Sequence, residues 1–190
     1  MIRLFIAFPL AVDVKDYLGT VIADLRPHSD GIRWVAPKNV HLTARFLGDT
    51  EEARISKLNL LIDTVADAHR SVSSSLTQLG AFPNLKRPRV IWAGIGDGVE
   101  ALGKIARDVE LRVRQLRFEP ESKAFKSHLT LGRVREGARL DAFAEFLTGY
   151  VLQPMPLIFD RLVLYKSTLT PQGPIYERLH EAVLRNLNQD

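Results

Sequence analysis

His41 and His128 each open the tripeptide His-Leu-Thr, in HLTARFLG and HLTLGRVR, 87 residues apart in a chain of 190 that has only five histidines. Imidazole titrates near neutral pH, so of two histidines in one pocket one can be neutral and the other protonated. The neutral ring can take a proton from an attacking water, and the protonated ring can give one to a leaving oxygen. Such a pair suits in-line displacement at phosphorus, where nucleophile and leaving group stand on opposite sides. The hydroxyls of Thr43 and Thr130, two residues on, can donate hydrogen bonds to the non-bridging oxygens. Each proton transfer is typically worth ~10²–10⁴ in rate, and neither requires a metal.

A zinc site is the other use of two histidines. The chain has no cysteine, no His-Glu-x-x-His and no carboxylate at ligand spacing within either motif, so neither a metal nor a cofactor is expected. His28, His69 and His180 fall in or at the ends of predicted helices and are read as surface residues. The glycines of GIGDGVEALGK follow a strand, but their spacing is wrong for a phosphate loop and no Lys-Ser/Thr follows; they are read as a strand-to-helix turn.

The elements that position the motifs come next. Ile2, Leu4, Ile6 and Phe8 alternate, which predicts a strand over 2–8. Val14, Leu18, Val21, Ile22 and Leu25 have helical spacing over 10–26. A loop with Pro27, Gly31 and Pro37 leads to the first motif strand. Asp49 or Thr50 can cap a helix carrying Ile55, Leu58, Ile62 and Val65, and 74–82 reads as a strand. The order then restarts: a strand at 89–95, a helix on Leu102, Ile105, Val109 and Val113, and a loop to the second motif strand. A helix on Leu140, Phe143 and Leu147 follows, then one strand in PLIFDRLVLYK and a last helix over 175–188 on Tyr176, Leu179, Val183 and Leu187. A shift of 87 lays the strand at 2–8 on 89–95, the helix at 10–26 on 97–113, and His41 on His128. The duplication predicts two lobes about a pseudo-twofold axis, with the motif strands facing each other across a cleft. Side chains alternate along a strand, so His41 and Thr43 point to the cleft while Leu42, Ala44 and Phe46 point to the core. His128 and Thr130 likewise oppose Leu129 and Leu131.

Composition sets the bounds. The net charge is +4 and the pI about 9.5, a mild lean toward anionic partners such as phosphates or nucleic acid. Apolar residues make up 46% and charged residues 25%, as in ordinary globular proteins. No apolar run approaches membrane-span length, and the acidic Asp13 and Asp16 argue against reading the start as a signal peptide. The expectation is a monomer of the reducing cytoplasm, with no membrane partner.

With these contexts the sequence resembles the 2H phosphoesterases and, within them, the RNA 2′,3′-cyclic phosphodiesterases, the LigT-like group also called 2′-5′ RNA ligases. The stretches that carry the resemblance are RLFIAF, RWVAPKNVHLTARFLGDT, GAFPNLKRPRVIWAGI, FKSHLTLGRV and LVLYKSTLTPQGPIYERL, nearly end to end. The resemblance implies an α+β fold: one two-lobed domain over 1–190, with antiparallel sheets lining a central cleft and helices outside. It implies His41 as proton donor, His128 as proton acceptor, and Thr43 and Thr130 as phosphate ligands. The implied substrate is RNA with a 2′,3′-cyclic phosphate terminus, tRNA fragments included, opened to a 2′-phosphomonoester. The implied ligase activity is the same chemistry run backward. Ala44 stands where relatives often carry a larger apolar residue.

Around the motifs, Arg45 is expected on the cleft face if its strand stays regular. Arg133 is expected to reach the substrate through a bulge at Gly132. Lys126 and the basic loop LKRPR at 85–89 are further phosphate candidates or solvated surface charges. Trp34 and Phe82 are read as core residues, with base stacking as the alternative. Lys166 and Ser167 carry no readable role. Two other functional readings stay open: an RNA-binding module without catalysis, and a phosphodiesterase acting on another cyclic phosphate or a 2′-5′ linked oligonucleotide.

Overall fold

A strand that is apolar at even and odd positions alike must be covered on both faces, and the first strand is such a strand. The computed structural model describes residues 1–138 and 140–186. In it, β1 (Ile2–Pro9) sends Leu4, Ile6 and Phe8 into the main core and Phe5 and Ala7 into a second cluster with Val163 and Tyr165. α1 (Val12–Leu25) buries the predicted stripe from Val14 to Leu25. β2 (Ile32–Trp34), β3 (His41–Thr50), α2 (Ile55–Ala68) and β4 (Val72–Phe82) follow. The second half holds β5 (Val90–Ile95), α3 (Val99–Gln115), β6 (His128–Val134), α4 (Asp141–Gly149), β7 (Pro156–Phe159), β8 (Arg161–Thr170) and β9 (Gly173–Val183). Gly98, at φ 81°, makes the turn into α3 read from GIGDGVEALGK.

Two antiparallel sheets result, ordered β3-β1-β8-β9 and β2-β6-β5-β4-β7. A shift of 87 residues lays β1, β3 and β4 near β5, β6 and β8. Yet β4 pairs with β5, and β8 pairs with β1. Each half lends strands to the other half's sheet, β2 and β4 to that of β5 and β6, β8 and β9 to that of β1 and β3, so neither sheet is completed by its own half. α2 packs on β8, β9 and α3; α3 also covers β3, and α4 lies on β4. This is the two-lobed α+β architecture expected from the duplication.

Four elements depart from expectation. The segment 175–183 is strand β9, not a helix; Leu187 lies outside the described residues. β9 pairs with β8 along its length from a turn at Pro171 and Gln172, with Gly173 at φ 123°. A register shift leaves Leu179 unpaired, so Leu179, His180 and Ala182 turn toward the helices while Tyr176 turns the other way. The slip lets Leu179 and Ala182, three residues apart, share one face, while Tyr176 faces the other way and Val183 is exposed, so the helix-like spacing joined residues of different faces. PLIFDRLVLYK is two strands in different sheets, divided at Asp160, whose two carboxylate oxygens accept from Nε and Nη2 of Arg161. β2 forms inside the stretch read as a loop, its residues pairing with β6. Finally, β3 runs through Thr50, and α2 starts after a 3-10 turn at Glu52–Arg54 with no side-chain cap from Asp49 or Thr50.

Candidate active site

Each motif histidine is the first residue of its strand, and each is held in the same way. His41 Nδ1 lies 2.7 Å from the carbonyl oxygen of Asn39, and His128 Nδ1 lies 2.7 Å from that of Lys126. A carbonyl only accepts, so Nδ1 carries the proton in both rings and Nε2 is left to act. The two carbonyls are themselves 87 residues apart, so the repeat duplicates the orienting contact as well as the imidazole. Asn39 is fixed in turn, since its Nδ2 donates to the carbonyl of Pro174 at 2.8 Å.

The floors differ. His41 stacks on Phe5 at 4.8 Å between centroids and meets Tyr176 edge-on at 5.5 Å, with Tyr165 behind Phe5. His128 meets Phe82 edge-on at 5.0 Å; Phe82 leans on Trp92 and lies 4.9 Å from the Lys126 ammonium. Phe82 therefore borders the site instead of the core, whereas Trp34 packs edge-on against Phe143 in the core. The sequence reading missed Phe5, Tyr165 and Tyr176. The signal for Phe5 and Ala7 was present, as apolar residues on the second face of β1; Tyr176 was hidden by the false helix.

Thr43 and Thr130 follow two residues on, on the face of their histidines. Both strands then bulge at the same place: β1 pairs Ala7 with Thr43 and Ile6 with Arg45, and β5 pairs Trp92 with Thr130 and Ile91 with Gly132. Ala44 and Leu131 are the extra residues. The bulge foreseen at Gly132 occurs in both copies, and this corrects the expectation for Arg45. The bulge turns Arg45 away from the cleft; it is 7% exposed and bound to Glu110 at 2.5 Å, Glu121 at 3.0 Å and the carbonyls of Phe46 and Glu119. Phe46 and Arg133 are the residues that the bulge returns to the cleft face. Arg133 is exposed. β3 and β6 touch where the sheets meet, and the charge of Arg133 acts on both imidazoles. Lys166 pairs with Glu177 at 3.2 Å.

The other histidines have their own partners. His28 stacks on Phe146, His69 at the end of α2 sits 3.1 Å from Asp108, and His180 on β9 sits 2.6 Å from Asp63. Among the described residues no three His, Asp or Glu side chains converge as a ligand set.

The electrostatics favour an anion. Burial lowers the pKa of His41 to about 4; the Asn39 carbonyl opposes this, while Lys15 and Arg133 add to it. Burial also lowers His128, against the Lys126 carbonyl and with help from Arg133 and Lys126. Without a ligand both rings are therefore neutral near pH 7. An anion placed beside the rings would supply the opposite charge that favours a protonated imidazole.

A two-lobed α+β fold that sets paired His-x-Thr strands where its sheets meet defines the class of two-histidine phosphoesterases. The model of the LigT-like phosphoesterase family matches residues 8–92 and 96–176, and the chain belongs to that family. Among curated relatives, one from Thermotoga maritima is 32% identical over 94% of each chain, and one from Archaeoglobus fulgidus is 32% identical over 93% of this chain and 97% of its own. Both are named RNA 2′,3′-cyclic phosphodiesterase. TT0787 of Thermus thermophilus superposes with a TM-score of 0.83 at 29% identity, covering 98% of this chain and all of the other. Escherichia coli LigT, solved with 3′-AMP, shares the fold at a TM-score of 0.76 and 22% identity over 96% of this chain. No helix among the described residues is long and apolar enough to cross a membrane.

Proposed function

We propose that this protein opens the 2′,3′-cyclic phosphate at RNA ends to a 2′-phosphomonoester by acid–base catalysis between His41 and His128, without a metal. The observation that carries this reading is the duplicated presentation: two imidazoles, each with Nδ1 spent on a carbonyl two residues back and Nε2 left to act, both under the charge of Arg133. The relatives' names support the substrate.

In this reading Nε2 of neutral His128 takes a proton from water as its oxygen attacks phosphorus. The P–O3′ bond breaks on the far side, and the Nε2 proton of charged His41 goes to the departing O3′. Thr43 and Thr130 donate to the non-bridging oxygens, and Arg133 balances their charge. The acid at His41 and the base at His128 follow the family resemblance. With an RNA 5′-hydroxyl exchanged for water, the same steps join or cleave a 2′-5′ bond. We expect a cytoplasmic monomer. The test is a short RNA ending in a 2′,3′-cyclic phosphate, incubated in excess EDTA. A 2′-phosphate product is expected; a 3′-phosphate product, or activity that EDTA abolishes and a divalent metal restores, refutes the mechanism.

A further inference from the structure

A basic groove lies beside the site and takes no part in the chemistry above. It is a concavity of about 620 Å³ whose lining includes Lys86, Arg87, Arg89, Arg135 and a single carboxylate, Glu136. Arg45, Arg112, Arg161, Arg178, Lys104 and Lys166 each meet a carboxylate, while other cations such as Lys38, Lys57, Arg107 and Arg114 are unpaired among the described residues but scattered; the groove is set apart by gathering several on one concave surface. Among the described residues Lys86, Arg87, Arg89 and Arg135 form no ion pair. Four unpaired cations gathered on one concave surface create a positive potential that attracts a polyanion.

The groove follows the site along the chain, since Val134 at the end of β6 and Arg135 just past it line it. Arg133 pairs with Val90 on one side and Arg33 on the other, and the next amide, of Val134, donates to the Arg89 carbonyl at 3.0 Å. Arg135 lies two residues past Arg133, about 7 Å further along an extended chain. Arg133 and Arg135 are thus separated by about one nucleotide step, and the cations of the 86–89 loop line the same concavity as Arg135. We propose that this groove holds the single-stranded body of the RNA, 5′ to the cyclic phosphate, through its backbone phosphates. The proposal rests on the RNA-end reading above and extends it: the enzyme favours oligonucleotides over nucleoside cyclic phosphates for electrostatic reasons. An acidic protein segment is the competing occupant.

The test compares wild type with the triple variant Lys86→Glu, Arg87→Glu, Arg135→Glu on two substrates, a nucleoside 2′,3′-cyclic monophosphate and a decamer RNA with the same terminus. The small substrate does not reach the groove, so its kcat/KM should change less than about twofold, which also shows the variant is folded. For the decamer, KM should rise ~10-fold or more, and the slope of log affinity against log salt, read by fluorescence anisotropy, should shrink by about 2. An unchanged decamer KM, or an equal loss on both substrates, overturns the proposal; the first outcome would leave the groove to an acidic protein partner. If wild type cleaves neither substrate, the proposed function fails, and anisotropy alone decides the groove: unchanged decamer binding by the variant overturns it, and lost salt-dependent binding upholds it.

Discussion

The two motif strands, β3 and β6, are the same device with different surroundings. Both start at the histidine, both pin Nδ1 on a carbonyl two residues back, and both bulge one residue after the threonine. Past the bulge they diverge. β3 continues with Arg45 facing inward and Phe46 outward; β6 continues with Gly132 inward and Arg133 outward. Gly132 leaves room for β2, because a Cβ there would lie 2.6 Å from Ile32 Cγ2 and 3.0 Å from the Trp34 ring. The segment related to β2 by the repeat, residues 119–121, forms no strand; Arg45 ties it to β3 through Glu119 and Glu121. The halves agree from the histidine to the bulge and differ beyond it, where Arg45 answers to Gly132 and Phe46 to Arg133.

The strongest way to break this comparison is to remove one histidine at a time. His41→Ala and His128→Ala should each lower kcat by ~10²–10⁴, and the double variant should be little worse, because the pair acts as one unit. His28→Ala, His69→Ala and His180→Ala should remain near wild type. Steady-state kinetics that left His41→Ala nearly intact would end the two-histidine account.

Next is the divergent pair after the bulge. Arg133→Ala removes a guanidinium that acts on both imidazoles, and kcat/KM should fall roughly 10- to 100-fold, the scale of a charge-assisted hydrogen bond. Phe46→Ala, at the equivalent position of β3, should change it by less than about threefold. Equal losses would show that the two outward positions are not specialised.

The inward pair should affect stability instead. Arg45→Ala strands the half-buried Glu110 and frees the 119–121 segment, at about 2 kcal/mol. Gly132→Ala should cost about 1–3 kcal/mol by pushing β2 off its edge. Denaturant midpoints measure both, and kcat per folded molecule should hold for Arg45→Ala.

The smallest effect is in pH. The folded-state pKa values of His41 and His128 lie below the unfolded value near 6.5, so the unfolded chain binds more protons in that window. Stability therefore rises with pH between about 4 and 6.5 and falls as acid is added through it; His41→Ala should flatten the curve. For the same reason the upper limb of kcat/KM should lie below pH 6.5, with limbs belonging to the pair. The kcat profile should be displaced to higher pH by the bound phosphate's charge.

Much of this was legible because it is local or periodic. The stripe of α1, the helices α2 and α3, and the alternation of β1 follow from short-range spacing. His180 shows the limit: its segment has apolar residues at helical spacing yet pairs as β9, and the slip at Leu179 that sets which of them face the helices is a property of the ladder, invisible in one strand's residues. Arg45 failed for the same reason, since the alternation rule held until a partner strand broke it at Ala44.

The repeated His-Leu-Thr, by itself, determined which residues could move protons and that there were two of each, because residue type sets pKa range and hydrogen-bond capacity wherever the chain goes. Tertiary structure decided which nitrogen acts, through the carbonyls of Asn39 and Lys126. It decided which arginine lies on the cleft face, through bulges made by β1 and β5. It also decided that both rings are neutral when free, because burial and the charges of Lys15, Arg133 and Lys126 come from residues distant in the chain or brought near only by the folded backbone. Chemistry of this kind is a matter of composition; its direction depends on which neighbours desolvate and orient each group.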